Sequence, residues 1–177
     1  MRKLILGFIL CSTTLPPLLA APVTDGHNFS PEGYRVKNYR APTPDSTSFA
    51  TTITANELRQ LLENKPALLL IDVFPLTWYD GIFFQDSPHY GIPGSIWLPN
   101  IGLGKIDART MQYMRDHLPL ENKERGLVFY CKIDCWMSWN AAKRAAEMGF
   151  QQVYWFKDGI DAWINAGFET AILEPEQ

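Results

Sequence analysis

One stretch in the C-terminal third of the chain decides how the rest is interpreted: Leu127-Val-Phe-Tyr-Cys131-Lys-Ile-Asp-Cys135-Trp-Met-Ser138-Trp-Asn-Ala-Ala142. Its apolar beginning is typical of a strand that is buried on both faces. The strand ends on Cys131, a short loop carries Cys135, and a helical pattern follows from Ser138. This order brings a thiol to the N-terminus of a helix, where backbone N–H groups and the helix dipole favour a thiolate. We therefore expect Cys131 to be acidic and reactive.

The chain starts with the layout of a secretory signal peptide. Arg2 and Lys3 precede an apolar run over residues 4–11, and the small residues Ala20 and Ala21 follow a Pro-Pro break. We expect residues 1–20 to be removed by cleavage after Ala20, which leaves the mature protein in the periplasm. The apolar run is too short and too interrupted to span a bilayer comfortably, so we expect no membrane insertion after cleavage.

Charge and cysteine content narrow the function classes. The 177-residue chain has 16 Lys and Arg against 19 Asp and Glu, and loss of Arg2 and Lys3 takes its net charge from −3 to −5. No basic run remains, which argues against nucleic acid and anionic membranes as partners. Cys11 leaves with the signal, so the remaining thiols are Cys131 and Cys135. In an oxidising compartment, two such close cysteines either pair or are kept reduced for a purpose.

Strand and helix patterns alternate over residues 50–172, which predicts one α/β domain around a mostly parallel sheet. Residues 21–49 are rich in Pro, Thr, Ser, Asn and Gly and predict an extended N-terminal arm, and residues 173–177 are interpreted as a C-terminal tail. Residues 74–92 are aromatic and rich in Gly and Pro without a clear period, which indicates a long loop over one sheet edge. The predicted helices cover residues 55–64, 107–117 with Asp107 as N-cap, 138–148, and 158–165, and Pro66 is expected to end the first.

Several spaced motifs in residues 50–172 together resemble the rhodanese-like domain superfamily. They are Leu68–Val73, Ile92-Pro93-Gly94-Ser95, the strand that ends at Cys131, Ala141-Ala142, Gly149-Phe150, Asp158-Gly159, Ala162-Trp163 and Ala166-Gly167. The resemblance implies a three-layer α/β domain with a central, mostly parallel sheet flanked by helices. It also implies that Cys131 stands at the position of the catalytic cysteine.

Within that superfamily the chain resembles the PQQ-dependent catabolism-associated CXXCW motif proteins. The resemblance rests on the Cys135-Trp136 pair, the signal segment, and the arm from Gly33-Tyr34-Arg35 to Tyr39-Arg40-Ala41-Pro42. It implies a periplasmic protein whose partners are quinoprotein alcohol-oxidation or redox proteins, and an indirect link to PQQ enzymes. No cofactor of its own is predicted. Because three residues separate Cys131 from Cys135, the spacing in the group's name does not fit literally.

The chain departs from the superfamily pattern at the catalytic loop. Ser138 stands seven residues after Cys131, so the loop is one residue longer than usual, and Met137 occupies the place of the loop arginine. A thioether donates no hydrogen bond, whereas a guanidinium binds an oxyanion through two. Phe74 likewise replaces an arginine that often follows the Asp-Val pair. These departures argue against phosphatase and thiosulfate chemistry.

The predicted site combines two catalytic cysteines, an anion-binding loop and a wall. Cys131 is the expected nucleophile and Cys135 its partner. The loop amides of residues 132–138 are expected to stabilise an anionic sulfur. The loop residues are Lys132, Ile133, Asp134, Trp136, Met137 and Ser138, and the wall residues are Asp72, Phe74 and Trp139. His27 and His89 are predicted to lie in loops, without neighbouring residues that would form a catalytic or metal site with them.

The sequence leaves the use of this site open. The leading hypothesis is thiol chemistry, either sulfur transfer through a Cys131 persulfide or reversible Cys131–Cys135 disulfide exchange. A second hypothesis is a non-catalytic binding module that uses Trp136, Trp139 and the aromatic surface of residues 74–90, although large aromatic residues such as these two tryptophans are more often packing residues. A third is Cu(I) binding by Cys131, Cys135 and Met137, a soft ligand set. No other metal site is predicted.

Overall fold

The computed structural model describes residues 27–65 and 67–177. The predicted signal peptide, residues 21–26 of the arm and Pro66 lie outside the described residues. In chain order the elements are β1 (Thr51–Thr52), α1 (Ala55–Asn64), β2 (Leu69–Asp72), β3 (Thr77–Tyr79), β4 (Ile82–Phe84), β5 (His89–Gly91), β6 (Ile96–Trp97), α2 (Ala108–His117), β7 (Leu127–Tyr130), α3 (Trp136–Glu147), β8 (Val153–Phe156), α4 (Gly159–Asn165) and β9 (Ala171–Leu173). Within this part of the chain, no helix has the length and apolar character needed to cross a membrane.

Five strands form a parallel sheet in the order β1-β8-β7-β2-β6. Its centre is β7, whose four side chains are completely buried and alternate between the two faces. Leu127 and Phe129 pack with α2 and α3 on one face, whereas Val128 and Tyr130 pack with α1 and α4 on the other. Burial on both faces explains the unbroken apolar run in the sequence. The predicted three-layer α/β fold is therefore confirmed.

Local signals set the helix boundaries. Thr54 and Glu57 form a capping box at the start of α1, which spans the predicted residues. The predicted N-cap of α2 is confirmed, because the Asp107 side chain accepts a hydrogen bond from the Thr110 N–H at 2.7 Å. Helix α3 begins at Trp136, two residues before the predicted start, with Cys135 as its N-cap. The cysteine at the helix start is therefore Cys135.

The prediction of a long loop over residues 74–92 is wrong. Strands β3 and β4 form an antiparallel hairpin in which Tyr79 pairs with Ile82 across a two-residue turn, Asp80-Gly81. Both turn residues have positive φ, 49° and 87°, as a type I′ turn requires, and the Asp-Gly pair was the local signal for this hairpin. Strand β5 pairs with β9, so the predicted boundary between residues 172 and 173 falls inside a strand.

The arm packs closely on α3. The Asn140 side chain, completely buried, accepts a hydrogen bond from the Arg35 N–H at 2.9 Å and donates to the Arg35 carbonyl at 2.8 Å and the Gly102 carbonyl at 2.9 Å. A Cβ on Gly104 would meet the Arg35 carbonyl oxygen at 2.0 Å, so the arm requires glycine there. Arg35 also holds its guanidinium 4.9 Å from the Trp136 ring centroid. The arm thus belongs to the folded domain.

We predict that Asn140→Ala lowers the free energy of unfolding by about 3 kcal/mol, because it leaves three buried backbone groups without their partner. Urea denaturation measures this change, and limited proteolysis is expected to cut the arm of the variant faster. The matched control is Asn56→Ala on the exposed side of α1, for which the expected change is below about 0.5 kcal/mol. Equal effects of the two substitutions would contradict the role given to Asn140.

Candidate functional site

The loop after β7 is fixed at its first residue by the start of α4. The Cys131 carbonyl accepts a hydrogen bond from the Ile160 N–H at 2.9 Å, and Lys132 forms a backbone bridge with Gly159. Gly159 has φ 56°, and a Cβ there would meet the Cys131 carbonyl oxygen at 2.3 Å. This close approach explains why glycine follows Asp158. It also fixes where the β7 strand delivers the first thiol.

The remainder of the loop is fixed by side chains around it. The Ile133 N–H donates to the Asp161 carboxylate at 2.8 Å, and Asp134 turns the chain with φ 55°. The Ser138 hydroxyl donates to the Cys135 carbonyl at 3.1 Å and accepts from the Trp155 indole at 3.0 Å. Ser138 therefore closes the loop from inside the core.

The arm covers the beginning of α3. The Trp136 N–H donates to the Tyr39 carbonyl at 2.9 Å, and the Ala41 N–H donates to the Asp134 carbonyl at 3.1 Å, so Arg40 stands opposite Cys135. The expected cradle formed by all amides of residues 132–138 is therefore wrong in part. The N–H groups of Ile133 and Trp136 already donate to Asp161 and Tyr39. The physical reason is that a helix start leaves unpaired donors, and the arm supplies an acceptor for one of them.

A cavity of about 460 Å³ lies between the loop, the arm and the segment after β2. Apart from its two cations the lining is mainly apolar, and both thiols take part in it. The lining residues are Tyr39, Arg40, Phe74, Pro75, Leu103, Cys131, Lys132, Cys135 and Met137. Of these, the sequence predicted the two cysteines, Phe74, Lys132 and Met137 together. It missed the arm residues and Leu103, although the Tyr-Arg-Ala-Pro motif had already marked the arm.

The two thiols are free and buried, and they interact with each other through a hydrogen bond. The pKa of Cys135 is lowered to about 7, chiefly by the hydrogen bond from Cys131, and the backbone amides of Met137 and Lys132 and the charge of Arg40 contribute to this lowering against the effect of burial. Burial raises the pKa of Cys131 well above its usual value, and the neighbouring Cys135 and the Asp72 charge add to the rise. The sequence led us to expect an acidic Cys131, whereas these directions favour the thiolate on Cys135 and the proton on Cys131.

Asp72 lies behind the cavity rather than in its lining. Its carboxylate accepts a hydrogen bond from the Phe74 N–H at 2.8 Å and contacts the His89 ring nitrogen at 2.8 Å. The His89 ring stacks between Phe74 and Trp97, at 5.2 and 4.0 Å between centroids. His89 therefore has specific partners, Asp72, Phe74 and Trp97, which the sequence interpretation did not predict. The reason is that β5 pairs with the distant β9, which no local pattern indicated.

Trp136 and Trp139 pack under the arm. Their rings make edge contacts with each other at 5.3 Å between centroids, Phe29 contacts Trp136 at 5.3 Å, and Phe49 contacts Trp139 at 4.9 Å. The packing interpretation of both residues agrees with these contacts. Trp139, predicted as part of the site wall, is not among the residues that line this cavity. Trp136 is buried and Trp139 half-buried at this contact, and the binding-module hypothesis stays a prediction.

The soft ligand set Cys131, Cys135 and Met137 does meet at the cavity. Among the described residues, no group of three or more His, Cys, Asp and Glu side chains is placed to hold a metal ion. Copper binding by the sulfur set stays a prediction, since two thiols and a thioether are ligands that suit Cu(I).

We predict that alkylation by iodoacetamide modifies Cys135 first, with a rate that falls below a midpoint near pH 7 because protonation removes the thiolate. Cys131→Ala removes the main cause of the low pKa and moves the midpoint upward, towards the ordinary thiol value of 9.0. Peptide mass mapping over a pH series measures both effects. In Cys135→Ala, labelling of Cys131 is expected to need strongly alkaline conditions. First labelling of Cys131 in the unaltered protein would contradict this assignment.

A model of the rhodanese-like domain family matches residues 54–166. No curated protein matches the sequence. Among solved structures, a rhodanese-like domain from Anabaena sp. is 23% identical, with 71% of this chain and 80% of that chain covered and a TM-score of 0.49. A polysulfide-sulfur transferase from Wolinella succinogenes is 16% identical, with 72% of this chain and 81% of that chain covered and a TM-score of 0.49.

A thiosulfate sulfurtransferase from Pseudomonas aeruginosa is 15% identical, with 72% of this chain but 21% of that chain covered and a TM-score of 0.49. The match to the family model spans well over half of the sequence and includes β7, the cysteine loop and α3. The chain therefore belongs to the rhodanese-like domain family.

Proposed function

We propose that the cavity is a dithiol site that works by reversible disulfide exchange between Cys131 and Cys135. The observation that carries the proposal is that two free, buried thiols line one cavity, and the pKa is lowered for Cys135 and raised for Cys131. An attacking thiol is most effective when its pKa lies near the ambient pH. A resolving thiol is best kept protonated until the mixed disulfide has formed. The pair has both properties.

The exchange proceeds in two steps. The Cys135 thiolate attacks one sulfur of a substrate disulfide, which forms a mixed disulfide and releases the other half of the substrate as a thiolate. Cys131 then loses its proton to water and attacks the Cys135 sulfur, which releases the second half. The substrate disulfide has gained two electrons as two thiols, and the protein holds a Cys131–Cys135 disulfide. Close cysteines within one loop allow this ring to open again in the reverse direction.

Sulfur transfer is the second candidate, and membership in the rhodanese-like family favours it. In that reaction a cysteine thiolate of the loop attacks the outer sulfur of a donor persulfide. A cysteine persulfide forms, and the donor leaves as a thiol. Cys131 follows β7 at the position that the family resemblance gives to the catalytic cysteine, although burial and the neighbouring Cys135 raise its pKa and disfavour the thiolate that such an attack requires.

For the setting, we propose the periplasm and a role beside quinoprotein alcohol oxidation. The support comes from the predicted signal peptide in residues 1–20 and from the resemblance of the arm and the Cys-Trp pair to the PQQ-associated group. Disulfides form and persist in an oxidising compartment, so a dithiol there can alternate between its reduced and disulfide forms. Periplasmic redox proteins are the corresponding partners.

The test is to trap the mature protein from its own compartment with a thiol reagent and to measure its intact mass. We expect a mixture of dithiol and disulfide forms that shifts with a glutathione redox buffer, and Cys131→Ser and Cys135→Ser are each expected to abolish the disulfide form. A persulfide mass that requires one cysteine supports the sulfur-transfer candidate instead. Stoichiometric copper supports the Cu(I) hypothesis. Two thiols that stay reduced in every buffer rule out exchange and leave a binding module.

A further inference from the structure

The cavity carries two positive charges at its rim that the exchange chemistry alone does not need. Arg40 is exposed on the arm and lines the cavity opposite Cys135, and Lys132 lines it from the loop. Within residues 27–65 and 67–177, neither side chain has a carboxylate partner. The Lys132 ammonium contacts the Phe74 ring at 4.7 Å from its centroid instead. Both cations are therefore available to a ligand.

We propose that Arg40 determines substrate specificity by binding the carboxylate of a small, anionic organic disulfide, with Lys132 as the second cation. This inference rests on the proposed disulfide exchange and names its substrate class. Arg40 pairs with Cys135 in a backbone bridge, lines the same cavity and acts electrostatically on the Cys135 thiol, so a carboxylate bound by Arg40 brings the adjacent disulfide to Cys135. Charge-assisted hydrogen bonds from a guanidinium fit a carboxylate in this way.

Arg40 supplies the positive charge that an arginine at position 137 of the loop would otherwise provide. Met137 stands where the resemblance to rhodanese-like domains implies a loop arginine, and it lines the same cavity as Arg40. A positive charge therefore reaches this cavity from the arm, and the docking of Tyr39 on α3 holds it there. The apolar lining from Phe74, Pro75 and Leu103 suits the carbon skeleton of the ligand. An excess of acidic residues repels anions from the surface as a whole, so local cations are needed to attract one.

The test compares two disulfide probes with the reduced mature protein. Dithiobis(nitrobenzoic acid) carries two carboxylates, and dithiodipyridine is neutral. Both react with the Cys135 thiolate, so the fraction ionised cancels in the ratio of their rate constants. We expect Arg40→Gln to lower the ratio of anionic to neutral rate by about fivefold, in keeping with about 1 kcal/mol for an exposed charge contact. Arg40→Lys keeps the charge and is expected to keep most of the ratio.

Two further variants make the result specific. Lys37→Gln removes a charge from an exposed arm position outside the cavity lining and is expected to leave the ratio unchanged. Lys132→Gln is expected to lower the ratio in the same direction as Arg40→Gln. Added salt is expected to lower the ratio of the unaltered protein more than that of Arg40→Gln.

The outcomes separate the two proposals. An unchanged ratio in Arg40→Gln, with both probes still reacting, overturns the role of Arg40 and leaves disulfide exchange intact. An equal loss in Lys37→Gln also overturns it, because general surface charge would then account for the preference. Failure of the neutral probe to react with the unaltered protein overturns the exchange itself, and the inference with it.

Discussion

The hydrogen bond from the Trp136 N–H to the Tyr39 carbonyl joins the arm to the first turn of α3, and the geometry of the site depends on it. It gives an acceptor to a helix-start donor that otherwise remains unpaired. It also sets Arg40 opposite Cys135 and makes Tyr39 part of the cavity. The buried Asn140 side chain and the close approach at Gly104 hold the rest of the arm in the same position. A segment that the sequence shows as a polar extension is thereby a wall of the site.

The electrostatics of the two thiols follow from their unequal positions. Cys131 directly follows β7, the central strand of the sheet, and is acted on by the Asp72 charge, so burial and like charge both oppose its ionisation. Cys135 stands at the start of a helix and receives a hydrogen bond from Cys131, with amides and Arg40 nearby. The proposed division between an attacking and a resolving thiol rests on this difference. A single thiol at either position has no such partner.

Much of this fold could be predicted from local patterns. The buried strand β7, the N-cap Asp107 and the span of α1 each follow from residues that lie close together in the sequence. The hairpin after β2 was missed although Asp80-Gly81 marked it, because aromatic residues on both faces hid the alternation of the strands. The contact of His89 with Asp72 could not be predicted, since it depends on the pairing of β5 with the distant β9.

The sequence by itself determined the rhodanese-like family, the layered α/β fold and the place of both cysteines in one loop, because buried strands, helix signals and family motifs are local properties. Tertiary structure decided which of the two thiols is acidic. The acidity of each thiol depends on burial, on the Asp72 charge and on Arg40. Arg40 is 95 positions from Cys135 in the sequence but close to it in the folded chain. The energy between two charges depends on their separation in space, and the number of residues between them in the sequence does not give that separation.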